Sequence, residues 1–200
     1  IEAGFYYDFL LPRTLTPEDL SKLEKRMRAL IKDKLTFERM EMSTSEAKKF
    51  FTERGQSFKV ELIEDIEKHG TTKMDEILGG AEGVKSEHGK VSLYKTGKFI
   101  DLCRGGHVDN TAEITPDSFK LDKIAGAYWR GNEKNPQLQR IYGLSFHTKD
   151  ELDAHLHMLE EAKKRDHRKL GEQLDLFTFS DLVGPGLPLW TPKGNIIREE

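Results

Sequence analysis

One short segment, Asp101-Leu-Cys-Arg-Gly-Gly-His107, holds most of the side chains able to do chemistry. It carries a carboxylate, a thiol and an imidazole, with two adjacent glycines between the thiol and the imidazole. Cys103 is the only cysteine of the chain, which rules out an internal disulfide and fits a reducing compartment. Three readings stand: half of a metal site, half of a catalytic site, or a loop whose cysteine packs as a small hydrophobe. As a zinc site it is incomplete, because catalytic zinc takes three protein ligands and structural zinc four. His69, His88, His147, His155, His157 and His167 offer no C-x-x-C or H-x-x-x-H partner. Gly105 and Gly106 let backbone N–H groups approach a phosphate or an oxyanion closely. Asp101, on the same strand face as Cys103, suits an amino-acid ammonium or the orientation of a water. Spacing alone does not choose among these.

The elements that position this segment follow from periodicity. Val91–Lys95 and Lys98–Leu102 read as a hairpin around Thr96-Gly97, which delivers Asp101, Cys103 and His107 to a strand end and the turn after it. Phe5, Tyr6 and Tyr7 are strand formers. Thr16, Pro17, Glu18 and Asp19 make a helix start, continued by Leu20, Leu23, Met27, Leu30 and Ile31 on one face. A strand over 35–42 and a helix from Ser43 or Thr44 to Arg54, closed by Gly55, come next. Phe58, Val60 and Leu62 alternate with polar residues, so Lys59 is expected on a strand, where a solvated lysine is the plain reading. Residues 69–89 read as a glycine-rich loop or insertion with a short helical turn at 74–78. Strands are expected over 119–129 and 138–146. Thr148 and Glu151 form a capping box before a helix running through K-K-R-D-H-R-K (163–169) to about Leu174, and G-P-G-L-P-L-W-T-P-K-G (184–194) marks a boundary. The class is α+β with a mostly antiparallel sheet.

Composition narrows the partners. Lys and Arg number 32 against 35 Asp and Glu, a net −3, so a nucleic-acid partner would need a local basic patch. No apolar run reaches the roughly 20 residues of a membrane span, and no signal peptide opens the chain. The chain opens on I-E-A-G-F-Y-Y-D without Met and ends on N-I-I-R-E-E in the first turns of an amphipathic helix, so it reads as a piece of a longer polypeptide.

Several blocks, taken in order, resemble threonyl-tRNA synthetase: G-F-Y-Y-D (4–8), D-L-C-R-G-G-H-V (101–108), A-G-A-Y-W-R-G-N (125–132), L-Q-R-I-Y-G (138–143), E-E-A-K-K-R-D-H-R-K-L-G (160–171) and L-D-L-F (174–177). The resemblance implies an editing domain over 1–147, a linker helix over 148–174, and the start of the class II aminoacylation domain over 175–200. It implies ligation of threonine to tRNA(Thr) by the parent enzyme, and hydrolysis of mischarged Ser-tRNA(Thr) in this region. Implied site residues are His107, Lys59, Cys103 and Asp101 as catalytic groups. Tyr7, Gly105 and Gly106 lie against the substrate, with Tyr7 near the terminal adenosine and ester. The family's H-x-x-x-H pair lies upstream of G-F-Y-Y-D, before residue 1, and many bacterial members carry Pro at the position of Gly106.

The resemblance further implies a tRNA acceptor end as partner, a cytoplasmic location, and a parent homodimer through the catalytic domain. ATP with Mg and a catalytic-domain zinc are implied for the parent, and no cofactor for this piece. The K-K-R-D-H-R-K run places five cations in seven residues. With the resemblance, Lys163, Lys164, Arg165, Arg168 and Lys169 become candidate tRNA contacts; otherwise they are a solvated helix face. Tyr128, Trp129 and Arg130 either stack on nucleotides or pack into a core. The alternative to an editing site is a non-catalytic RNA-binding module derived from the synthetase, or a freestanding editing hydrolase.

Overall fold

Thr16 and Asp19 decide where the first helix begins. The Asp19 carboxylate accepts the Thr16 backbone N–H at 2.9 Å, and Arg13 grips the same carboxylate through two bonds of 2.7 and 2.9 Å. Pro17 at the first helical position costs nothing there, because its missing N–H would have no partner. Helix α1 runs Pro17–Lys32 and buries Leu20 and Ile31. It packs its apolar face on a three-stranded antiparallel sheet of order β1-β6-β5 (β1 Phe5–Phe9, β5 Phe119–Tyr128, β6 Gln137–Ser145). Leu20, Leu121 and Ile141 form this core, with Phe5, Phe9, Leu15, Met27 and Ile124 around them.

A second antiparallel sheet has the order β2-β3-β4 (β2 Glu38–Ser43, β3 Lys90–Thr96, β4 Phe99–Leu102). The β3–β4 turn at Gly97 has φ +56°, the left-handed region that glycine enters without steric cost. Helix α2 (Thr44–Glu53) opens on a reciprocal capping box: Glu46 N–H donates to Ser43 Oγ, and Ser43 N–H donates to the Glu46 carboxylate. Helix α3 (Ser57–His69) lies beside it. Ala47, Phe51, Ile63, Ile66, Val91, Leu93 and Leu102 form the core between these helices and the sheet. Burying an aliphatic or aromatic side chain of this size contributes about 1.5–3 kcal/mol.

The structure is a computed structural model describing residues 4–69, 89–184 and 186–199. It departs from the sequence-based expectation at α3, where a helix replaces the expected strand. Phe58, Val60 and Leu62 do alternate, but Ile63 and Ile66 break the two-residue rhythm and supply the three-residue step that a helix buries. The short turn expected at 74–78 lies outside the described residues.

The elements above make up the first of two units, residues 1–149 and 150–200. In the second, α4 (Lys149–Lys164) and α5 (His167–Gln173) are separate helices. A single helix through to Leu174 was expected. Asp166 breaks it: its carboxylate caps the Arg168 N–H at 2.9 Å and starts a new helix. A two-stranded hairpin, β7 (Phe177–Phe179) with β8 (Pro188–Trp190), and α6 (Pro192–Glu199) complete this unit. Gly171 lies under the Phe177 ring and Gly194 against the Leu176 carbonyl, both where a Cβ would not fit. Leu182, Leu187, Ile196 and Ile197 are exposed. Among the described residues no helix is long and apolar enough to cross a membrane.

Candidate functional site

Three separate elements meet at Asp101. Tyr7 shares its face of β1 with Phe5 and Phe9, and its hydroxyl donates to Asp101 Oδ2 at 2.6 Å. Lys59, in the first turn of α3, places Nζ 2.5 Å from Asp101 Oδ1 and 3.4 Å from the Tyr7 oxygen. The Leu102 backbone N–H donates to Oδ1 at 2.7 Å. Asp101 therefore takes three donors, the Tyr7 hydroxyl, the Lys59 ammonium and the Leu102 N–H, charge-assisted in the case of Lys59. The Lys59 and Asp101 side chains are 22% and 15% exposed, withdrawn from bulk water but still reachable. Burial, and then the charge and hydrogen bond of Asp101, push the Tyr7 phenol well above its ordinary range. At neutral pH Tyr7 is therefore a donor, not a base.

The second half of the site begins two residues further on. Cys103 Sγ lies 3.2 Å from His107 Nε2 across the Gly105-Gly106 turn. Both glycines have left-handed φ, +121° and +81°. Cys103 is tied to β3 by its N–H to the Ser92 carbonyl and by the Ser92 hydroxyl to its own carbonyl. The His107 ring stacks on Phe37 at 5.0 Å and takes the Tyr94 ring edge-on at 4.4 Å. Beyond His107 the chain is pinned: Phe37 N–H donates to the Asp109 carbonyl. The buried Thr111 hydroxyl reaches the Leu30 and Ile31 carbonyls at the end of α1.

Tyr94 joins the two halves. It stands opposite Asp101 in the β3–β4 register, so the two side chains emerge on the same face as neighbours. Sequence reasoning missed Tyr94 and Phe37. The first was recoverable, because a hairpin turning at Thr96-Gly97 pairs residue 94 with residue 101; the second, a loop residue distant in sequence, left no signal.

The basic run divides. Glu161 pairs with Lys164 at 2.7 Å and with Arg165 at 3.5 Å, and Asp166 holds the Arg168 guanidinium at 2.7 Å. Lys163 and Lys169 have no acidic partner among the described residues. Trp129 is turned to another use: its indole N–H donates to Glu61 at 2.8 Å and its ring meets Phe58 at 4.7 Å. Among the described residues no three His, Cys, Asp or Glu side chains converge to hold a metal ion.

Residues 91–142 match the threonyl and alanyl tRNA synthetase second additional domain, which sets the class of domain that holds the hairpin and the strands after it. Over 198 residues, 99% of the chain, it is 50% identical to a threonine--tRNA ligase of Gloeobacter violaceus and 52% identical to one of Citrifermentans bemidjiense. A Carboxydothermus hydrogenoformans threonine--tRNA ligase is 49% identical over all 200 residues. The chain belongs to the threonine--tRNA ligase family and spans 28% of the length of each of these relatives.

Proposed function

We propose that this region hydrolyses the ester of Ser-tRNA(Thr), within a cytoplasmic protein that ligates threonine to tRNA(Thr). The observation that carries the reading is the convergence of Tyr7, Lys59 and Asp101 beside the Cys103–His107 pair. The chemical need is plain. Serine lacks one methyl of threonine and keeps the hydroxyl, and one methyl yields only about 1–3 kcal/mol of discrimination. A second, hydrolytic site supplies the rest.

In this reading Asp101 grips the seryl ammonium or hydroxyl, and Lys59 positions the ester carbonyl and the attacking water. Tyr7, held as a donor, lies toward the terminal adenosine. The open turn at Gly105 and Gly106 presents backbone N–H groups where negative charge grows on the carbonyl oxygen. His107, fixed between Phe37 and Tyr94 and in contact with Cys103, is the group able to relay a proton to the leaving 3′ oxygen. Lys163 and Lys169, with the partly neutralised Lys164, Arg165 and Arg168, are the candidate phosphate contacts. Residues 148–174 are the linker and 175–200 the start of the aminoacylation domain, whose exposed apolar residues fit further contacts of the longer protein, a homodimer among them. Among the described residues no cluster of three His, Cys, Asp or Glu side chains fits the magnesium or zinc implied for the parent, and no step here depends on those ions or on ATP.

The test uses the full-length protein and preformed Ser-tRNA(Thr). Lys59→Ala and His107→Ala should each lower deacylation at least tenfold, by analogy with the 10²–10⁴-fold range of positioned proton-transfer groups, while threonylation persists. Equal deacylation by wild type and both variants would remove the site assignment and favour a non-catalytic RNA-binding role.

A further inference from the structure

Lys59 must be held at a fixed rotation of α3, and the helix is gripped on both flanks. At roughly 100° per residue, Ile63 and Ile66, 0% and 1% exposed, share the inward face with Lys59. On one flank Glu67 takes Lys48 of α2 at 2.7 Å. On the other, Phe58, Glu61 and Asp65 form a stripe that meets a single turn of the other sheet. The Trp129 ring packs on Phe58 and its N–H donates to Glu61. Arg130 reaches Asp65 at 2.7 Å and Glu61 at 3.6 Å, and Asp65 is only 14% exposed.

That turn is built to be rigid. Trp129 N–H donates to the Pro136 carbonyl, while Asn132 N–H and the Asn135 amide both donate to the Trp129 carbonyl. Arg130 itself sits at φ +57°, a conformation a non-glycine residue keeps only where its surroundings enforce it. Tyr7 and the turn belong to the same sheet, β1-β6-β5. The β5–β6 turn thus fixes the helix that carries Lys59 relative to the strand that carries Tyr7.

We propose that Trp129 and Arg130 are positioning residues for Lys59, setting its ammonium against Asp101 and Tyr7 without touching substrate. The proposal rests on the hydrolytic reading above for its kinetic consequence, though not for its geometry.

Two readouts on the full-length protein test it. The first is Ser-tRNA(Thr) hydrolysis, resolved into kcat and KM. The second is the rate at which a soluble amine-acylating reagent labels Lys59, read by mass spectrometry against the exposed Lys25 of α1 as internal standard. Arg130→Ala and Trp129→Phe should lower kcat about tenfold or more with KM little changed, as expected for a misplaced reacting group. Lys59 labelling should rise several-fold, and Arg130→Lys should recover part of both. In a Lys59→Ala background, Arg130→Ala should produce no further loss, because its whole effect passes through Lys59. A folded Arg130→Ala protein with wild-type kcat and wild-type Lys59 labelling would overturn the proposal, as would an equal further loss in the Lys59→Ala background. If wild type and Lys59→Ala hydrolyse the ester equally, the hydrolytic reading has failed instead, and the labelling alone decides whether the turn positions Lys59.

Discussion

Gly105 and Gly106 lie side by side in the same turn, yet alanine should be tolerated very differently at the two. Both have left-handed φ, +121° and +81°, and an L-residue forced there costs about 1–2 kcal/mol. A Cβ on Gly106 meets nothing within 4 Å, so that strain is its whole cost. A Cβ on Gly105 would stand 2.8 Å from the Tyr94 hydroxyl oxygen, and the ring that must yield is the one set edge-on against His107. Displacing Tyr94 from its rotamer adds about 0.5–1.5 kcal/mol. For a chain of this size, about 1 kcal/mol corresponds to roughly 2–4 °C in Tm. Gly105→Ala should therefore melt a few degrees below Gly106→Ala, measured by calorimetry on the same preparation. Adding Tyr94→Phe, which removes the colliding oxygen, should return Gly105→Ala to the level of Gly106→Ala. Equal melting of the two single variants, or no recovery with Tyr94→Phe, would refute the contact on which His107 is said to lean.

Two further outcomes follow from charge. Arg13 and the Thr16 N–H hold the Asp19 carboxyl well below the usual carboxylate range; a depressed folded-state pKa stabilises above the unfolded value near 4 and is lost as pH falls below it. The Tm difference between wild type and Asp19→Asn should accordingly be largest at neutral pH and narrow as pH is lowered through 4 toward 2. If Lys163 and Lys169 contact phosphates, Lys163→Ala and Lys169→Ala should each flatten the log–log salt dependence of tRNA binding by about 0.7–0.9. Lys164→Ala, already paired with Glu161, should change it less; a wild-type slope in all three variants would make the run a solvated face.

The hairpin that carries the chemistry was the most legible part of the sequence. Turn residues Thr96-Gly97 and alternating apolar residues on either side fix its register, and the register fixes which side chains stand beside Asp101. The helix starts at Thr16 and Ser43 were legible for the same reason, since each is a local exchange of hydrogen bonds within four residues. Lys59 was found only through the family resemblance and was assigned to the wrong element. Five residues of alternation look alike in a strand and at the start of a helix until Ile63 and Ile66 are weighed with them. The break at Asp166 was hidden because an acidic residue among five cations reads as charge balance, whereas its carboxylate is a helix cap. Phe37 and the Trp129–Arg130 contacts depend on how two sheets and a helix dock, and nothing in their own neighbourhoods announces that.

Tyr7 and Asp101 hang from different sheets, with Lys59 on a helix between. These three side chains thus come within reach of one another only once both halves of the first unit have closed together. A nascent or partly melted chain carries every one of these side chains and no working arrangement of them. If the region cleaves the seryl ester as proposed, that power is licensed by completed folding and is absent from an immature molecule.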